Sequence, residues 1–377
     1  MKESFMRRRD RIATWSWRPS WVEPSPDEAG STDPLGYQSE ADRIAEELLP
    51  GVTVQTRRAR YLSFLCWAMN RTGNDPGEID RWEIALSIGE YLRHKGDTTC
   101  SYLGILLLKQ RNPDPGDRVP ARLHQQTARA LYSGLLRSCG LASEEGDLTP
   151  LGKKLGWEFG KTMPGTRPKR VYGCANLPCL SAAGELEKRW LRGALLEETE
   201  EAKLRTATLR EVGIRHWKKT GGDPAAILRD YLCPPPRPAT REQLLLHKAA
   251  VLDLTALPLT NLFLYLYKHE GAIRGAIPPR STLRSYQVDP APPGLLADVA
   301  THLRRAAKLG GERVPLSLAQ IKSHLLDRHE HAKPDGRWVD GSWRVLRHGL
   351  APQVSPDVHG YRLTVFASLL RDMGAIV

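Results

Sequence analysis

The sequence predicts a mainly α-helical, multi-domain protein with at least one winged helix-turn-helix unit and small β-wings. Three observations predict it. Apolar residues recur at three-and-four spacing over long stretches, strand-like alternation is short and rare, and Ala121–Met163 reads as helix, cap, two short extended pieces and a second helix.

Residues 1–36 (with TWSWRPSWVEPSPDEAG) show no period and are expected to form an irregular arm that packs through Trp15, Trp17 and Trp21 or orders on a partner. A helical domain is expected over 37–163. From Tyr61 to Met69 only Ser63 is polar, the mark of a buried helix. Thr56 or Thr53 is placed to cap it, which puts Arg57, Arg58 and Arg60 in or near the first turn. The helix dipole makes that end positive, so cations there call for a nearby anion. That anion is either a carboxylate of the fold or a phosphate of a partner.

In Ala121–Met163, Leu123, Thr127, Ala130, Leu131, Gly134, Leu135 and Cys139 share one helical face, and Gly140 is placed to end the helix in a left-handed cap. Leu141–Ser143 then reads as extended, Glu144–Asp147 as a turn, and Thr149-Pro150 as the cap and first residue of the next helix. The opposite face carries Arg122, Gln126, Arg129, Ser133 and Arg137, residue types that reach phosphates and base edges from a major-groove helix. The same face equally suits a winged unit used only for protein contacts.

A charged helical connector domain is expected over 164–236, entered through the basic Met163–Arg170 and left at the proline-rich Leu232–Ala239, which cannot continue a helix. The C-terminal helical domain, 237–377, opens on a capping box, Thr240-Arg-Glu-Gln243, and is broken at Asp289–Pro293. Leu369-Leu-Arg-Asp-Met-Gly374 echoes Leu135-Leu-Arg-Ser-Cys-Gly140. With the Asp-Gly turn signal in Gly336–Trp343, the echo suggests a second winged unit.

Lysine and arginine number 55 against 43 acids, a net charge of +12. Such an excess favours a polyanionic partner, because each neutralised phosphate releases counterions. Six scattered cysteines, two of them (Cys66 and Cys139) on apolar faces, read as reduced core residues. No apolar stretch follows the basic start MKESFMRRRD, and the most apolar run, Leu254–Tyr267, contains Pro258 and Asn261. A cytoplasmic protein with no membrane segment is expected.

Catalytic signatures do not emerge. Gly146–Lys154 has one residue too many between its glycines for a phosphate loop, and Lys154 stands where Ser or Thr would hold magnesium. Cys174 and Cys179 lack a second pair at zinc spacing, and neither G-x-S-x-G nor H-E-x-x-H occurs. Asp75, Glu78 and Asp80 lie in an Asp-Pro-Gly loop, and no lysine follows at nuclease spacing. His324, Asp327 and His331, three and four apart, share a helical face that can grip a divalent ion, although Leu318, Ile321, Leu325 and Leu326 also explain that helix as core.

Asp33-Pro-Leu-Gly36, Leu49-Pro50-Gly51-x-Thr53, Thr56-Arg57-Arg58-Ala59-Arg60-Tyr61 and Trp67 resemble an uncharacterised bacterial family reading "DPLG…LLPGxTxxTxRARY…W". Its members tend to sit beside restriction or phage-defence genes. The resemblance implies a genomic context and transfers no catalytic residue. Charge, helix pattern and resemblance together lead to a DNA-binding, non-catalytic component of a bacterial anti-phage defence or restriction system, working with a separate catalytic partner and needing no cofactor. Arg57, Arg58, Arg60, Arg122, Gln126, Arg129, Arg137, Lys153 and Lys154 are the expected nucleic-acid contacts. A metal-dependent nuclease subunit and a protein–protein assembly subunit are the alternatives.

Overall fold

The structure is a computed structural model that describes residues 33–94, 127–163, 183–232, 238–268, 318–333, 337–343 and 360–376, with the single positions 108, 180, 235 and 346. Its helices are α1 (Tyr37–Leu48), α2 (Arg60–Thr72), α3 (Pro76–His94), α4 (Ala128–Ser138), α5 (Pro150–Gly160), α6 (Glu185–Leu196), α7 (Glu200–Val212), α8 (Ile214–Thr220), α9 (Pro224–Arg229), α10 (Arg241–Lys268), α11 (Leu318–Ala332) and α12 (Leu363–Asp372). The protein is mainly helical, and β pairing among the described residues is limited to isolated bridges such as the antiparallel Ala142–Leu148. No helix among them is long and apolar enough to cross a membrane.

The chain forms two compact units, each discontinuous in sequence. One comprises 46–223 and 362–377; the other comprises 1–45 and 224–361, so the boundary falls within α1. The expected connector 164–236 therefore supplies α6, α7 and α8 to the first unit, and α12 joins them.

In the first unit α2 is the central element. Every residue from Arg60 to Met69 is buried, as the apolar run predicts. The helix stops at Gly73, whose left-handed backbone lets its N–H reach the Met69 carbonyl. Helix α5 lies directly on α2 because Gly156 has no side chain: a Cβ there would meet the backbone of Cys66 and Trp67 at 2.8 Å. Rings fill the remaining space, with Trp67 edge-on to Trp82 at 4.7 Å and Phe64 near Phe159 at 5.9 Å. Cys66 and Cys139 are buried free thiols, and burial pushes both thiol pKa values up. The Leu49-Pro-Gly-x-Thr turn has a packing reason too. Gly51 has φ +72° and presses on α4, where a Cβ would come within 2.2 Å of Ser138 Oγ.

Several local expectations are met to the residue. Gly140 is left-handed at φ 64°. Thr149 caps α5 by accepting the Gly152 N–H at 3.2 Å, with Pro150 following as its first residue. One expectation is corrected. Thr127 is extended and caps α4, accepting from Ala130, so it stands before the helix and not on its face, while Leu123 lies outside the described residues.

In the second unit the capping box forms at both of its bonds, Thr240 N–H to Gln243 Oε1 and Gln243 N–H to Thr240 Oγ1, each 3.1 Å. Phe263 of α10 packs against His329 of α11 at 4.8 Å and Trp343 at 5.5 Å. His329 is held between two backbone groups: Nδ1–H donates to the Pro34 carbonyl at 2.7 Å, and Nε2 accepts the Trp338 N–H at 2.9 Å. Burial, against the pull of the Pro34 bond, lowers its pKa to about 4, and the charges of Lys333 and Arg337 act in the same direction. The Asp340-Gly341 turn also forms, Asp340 accepting from Trp343 N–H at 3.0 Å.

The C-terminal echo has a local cause. Gly374, like Gly140, sits at φ 64°, and the two helices end with the same bonds: Gly140 and Gly374 N–H reach Arg137 and Arg371, and Leu141 and Ala375 N–H reach Leu136 and Leu370. Two similar sequences thus encode one way of stopping a helix. Residues 337–343 and α12 belong to different units.

Candidate nucleic-acid interface

The arginine cluster divides by burial. Arg60 is 3% exposed and fully engaged: Nε meets Glu187 Oε1 at 3.0 Å, Nη2 meets Oε2 at 3.1 Å and Thr162 Oγ1 at 2.9 Å, and the guanidinium lies over the Phe159 ring at 5.0 Å. The anion that this side chain calls for is a carboxylate of the fold, held by two bonds. Arg58 donates from Nε to Asp372 Oδ2 at 3.0 Å, and the same oxygen accepts the Ala59 N–H at 3.0 Å. Asp372 thereby caps the start of α2, a place the sequence gives to Thr56 or Thr53. Thr56 instead closes its own loop, its hydroxyl bonding Thr53 N–H and carbonyl at 3.0 Å.

Burial disfavours the charged form of both Arg58 and Asp372. For Arg58 the Asp372 charge and hydrogen bond, with the Glu90 and Tyr61 charges, outweigh it, and the pKa ends above the usual arginine value. For Asp372 burial wins and the carboxyl is raised. These directions pull apart on whether the pair is charged. Geometry decides for an ionised pair, since one oxygen accepts two N–H groups at 3.0 Å and a guanidinium keeps its proton. Arg58 and Arg60 are therefore corrected from phosphate contacts to internal ion pairs. Arg57 remains exposed, with its Nε donating to the Val54 carbonyl at 3.2 Å.

Along α4, Arg129 and Ser133 are half-buried, and Arg137 is 43% exposed with Glu144 at 3.4 Å. Arg122 and Gln126 lie outside the described residues. The inner side of α4 is tied down by two groups with no signal in sequence. The buried Glu83 accepts the Ala128 N–H at 2.8 Å, at the positive end of the helix dipole. Arg205, fully buried, bonds the Leu195 carbonyl at 2.8 Å, the Pro50 carbonyl at 2.7 Å and the Ser138 carbonyl at 3.1 Å. Two of those carbonyls lie at the ends of α6 and α4, where the dipole is negative.

Helix α5 carries an open basic face. Lys153 and Lys154 are exposed, and neither is ion-paired among the described residues. Trp157, one turn on, is 64% exposed, and Lys161 Nζ stands 3.8 Å from its ring centroid. With Trp190 and Leu186 of α6, Lys153, Lys154 and Trp157 line an open hollow of about 420 Å³, where Lys154 Nζ is 5.4 Å from the Trp190 ring. Glu158, also at the hollow, is held by Lys161 at 2.8 Å. Trp157, Lys161 and Trp190 were not among the expected contacts, yet Lys153, Lys154, Trp157 and Lys161 recur at helical spacing, a signal available in sequence.

The candidate metal face does not assemble among the described residues. His324 is buried, whereas Asp327 and His331 are exposed, and His331 Nδ1 is tied to the Asp327 carbonyl at 2.6 Å. A shared helical face is thus covered at one turn and open at the next. Among the described residues no group of three metal-binding side chains comes together. Asp75 is spent as a cap, its Oδ1 accepting the Glu78 N–H at 2.8 Å, and Glu78 pairs with Arg81. Comparison with protein-family models, with curated proteins and with solved structures gave no match.

Proposed function

We propose that the chain is a DNA-binding, non-catalytic component of a bacterial anti-phage defence or restriction system, acting in the cytoplasm beside a partner that supplies the chemistry. The observation that carries the binding part is the open lysine face of α5, Lys153 and Lys154, on a protein of net charge +12. On this reading the α4, Ala142–Leu148 bridge and α5 segment is the second half of a winged helix-turn-helix, with the bridge as a minimal wing. Arg57, Arg129, Arg137, Lys153, Lys154 and Lys161 supply the phosphate contacts. The defence context rests on the resemblance of the first 70 or so residues.

Fluorescence anisotropy with labelled DNA at rising salt tests it. Five or six phosphate contacts lower affinity about a thousand-fold or more between 50 and 200 mM salt. An affinity that hardly moves across that range refutes DNA binding. No metal-dependent cleavage is expected from the purified chain. Cleavage with manganese, lost in a variant carrying His324→Ala, Asp327→Ala and His331→Ala, would establish a nuclease instead.

A further inference from the structure

The α5 hollow contains more than charge. Trp157 contributes little to holding α5 in place, since Leu155, Phe159 and Gly156 are the buried residues that seat it on α2. Its indole nevertheless stands 64% exposed, Leu186 is 44% exposed beside it, and Trp190 forms the other side. A tryptophan ring is a large apolar surface, and leaving it in water forgoes the stabilisation that burial gives. Lys161 covers one face of the indole through a cation–π contact, so the opposite face is the one available to a flat ligand. At the rim, Lys153 and Lys154 present ammonium groups that no carboxylate neutralises among the described residues.

A flat π-system next to an anion is the chemistry of a nucleotide. In a duplex the base faces are stacked on one another and the outside offers only backbone and groove edges, so an exposed indole has nothing to stack on there. An unpaired strand offers both a free base face and a phosphate every nucleotide. We infer that the hollow between α5 and α6 binds single-stranded nucleic acid, one base stacking on Trp157 and the flanking phosphates meeting Lys153 and Lys154. The inference rests on the nucleic-acid reading above and narrows it to strands with unstacked bases.

The test uses the full chain, labelled oligothymidylate and a labelled duplex. The native protein is expected to bind the single strand more tightly. Trp157→Ala weakens single-strand binding about ten-fold or more and leaves duplex binding unchanged, while Trp157→Phe recovers most of the loss. Lys154→Gln lowers the slope of log affinity against log salt by roughly one contact's worth. Thermal unfolding serves as the folding control. If Trp157→Ala leaves single-strand affinity unchanged, or weakens strand and duplex alike, the inference falls while nucleic-acid binding stands. If the native chain binds neither, both fall. Trp157-dependent binding of labelled oligoglutamate, with neither nucleic acid bound, would identify an acidic protein segment as the occupant and overturn both.

Discussion

Arg60→Ala should be among the most damaging single changes in the first unit, and the structure says by how much. Arg60 and Glu187 are 3% and 2% exposed, joined by two parallel bonds at 3.0 and 3.1 Å. Truncating the arginine leaves a carboxylate buried without its counter-charge, a loss of about 3–5 kcal/mol. In a compact unit of about 190 residues each kcal/mol moves the melting temperature by roughly 2–4 °C, so a fall of about 10 °C is expected. Arg60→Lys keeps the charge but loses the fork and the Thr162 bond, and should cost about 1–2 kcal/mol. Replacing both partners by leucine should return most of the stability, because no unpaired charge remains. Differential scanning fluorimetry on the native chain, Arg60→Leu, Glu187→Leu and the double variant closes a cycle whose coupling should be about 2–3 kcal/mol. A coupling below roughly 0.5 kcal/mol, or a melting temperature for Arg60→Ala within about 1 °C of native, would refute the assignment of this arginine to the core.

Arg57→Ala, three residues away and exposed, should change stability by less than about 0.5 kcal/mol, and a large destabilisation would show an internal role for it as well. Two glycine substitutions should act with opposite sign. Gly134→Ala has nothing within 4 Å of the new Cβ and should stabilise α4 by about 0.4–1 kcal/mol, whereas Gly156→Ala collides with the α2 backbone at 2.8 Å and should destabilise by about 1–3 kcal/mol in urea unfolding. His329 gives a pH signature. Its pKa is about 4 folded and near 6.5 unfolded, so the unfolded chain takes up the proton first as pH falls. Stability is therefore complete above about pH 6.5 and declines through the window to pH 4, by about 3 kcal/mol in all. Melting curves of the native chain and His329→Gln recorded between pH 7 and pH 4 should converge, and parallel curves would exclude the effect.

What the sequence made legible is local. The Thr149 cap, the Gly140 stop, the Thr240–Gln243 box and the buried run from Tyr61 to Met69 each depend on residues within a turn or two of one another. The anion demanded by the arginine cluster was also legible as a need, but not as an address: its two carboxylates lie 127 and 314 positions away. Arg205 leaves no trace in pattern because it is satisfied by carbonyls, which every residue has. Thr127 misled because the same hydroxyl suits a helix face and a helix cap, and only the backbone angles decide. The His324 to His331 face failed for a related reason, since periodicity fixes direction around a helix and says nothing about what covers each turn. The aromatic half of the α5 hollow was overlooked because tryptophans in a helical pattern are read as core.

The bond from Ala59 and Arg58 to Asp372 has a consequence for biosynthesis. The first turn of α2 waits for an acceptor encoded more than three hundred codons after it, and the other unit's residues 224–361 must emerge in between. Until α12 leaves the ribosome, Trp217 lacks Phe366, its ring partner at 5.6 Å, and the Gly222 carbonyl lacks the Thr364 hydroxyl at 3.1 Å. The nascent first unit is thus incomplete until α12 has emerged, with apolar surface that a chaperone would recognise. Nonsense or frameshift changes even a short way upstream of residue 363 should therefore yield aggregation or proteolysis rather than a shortened working protein.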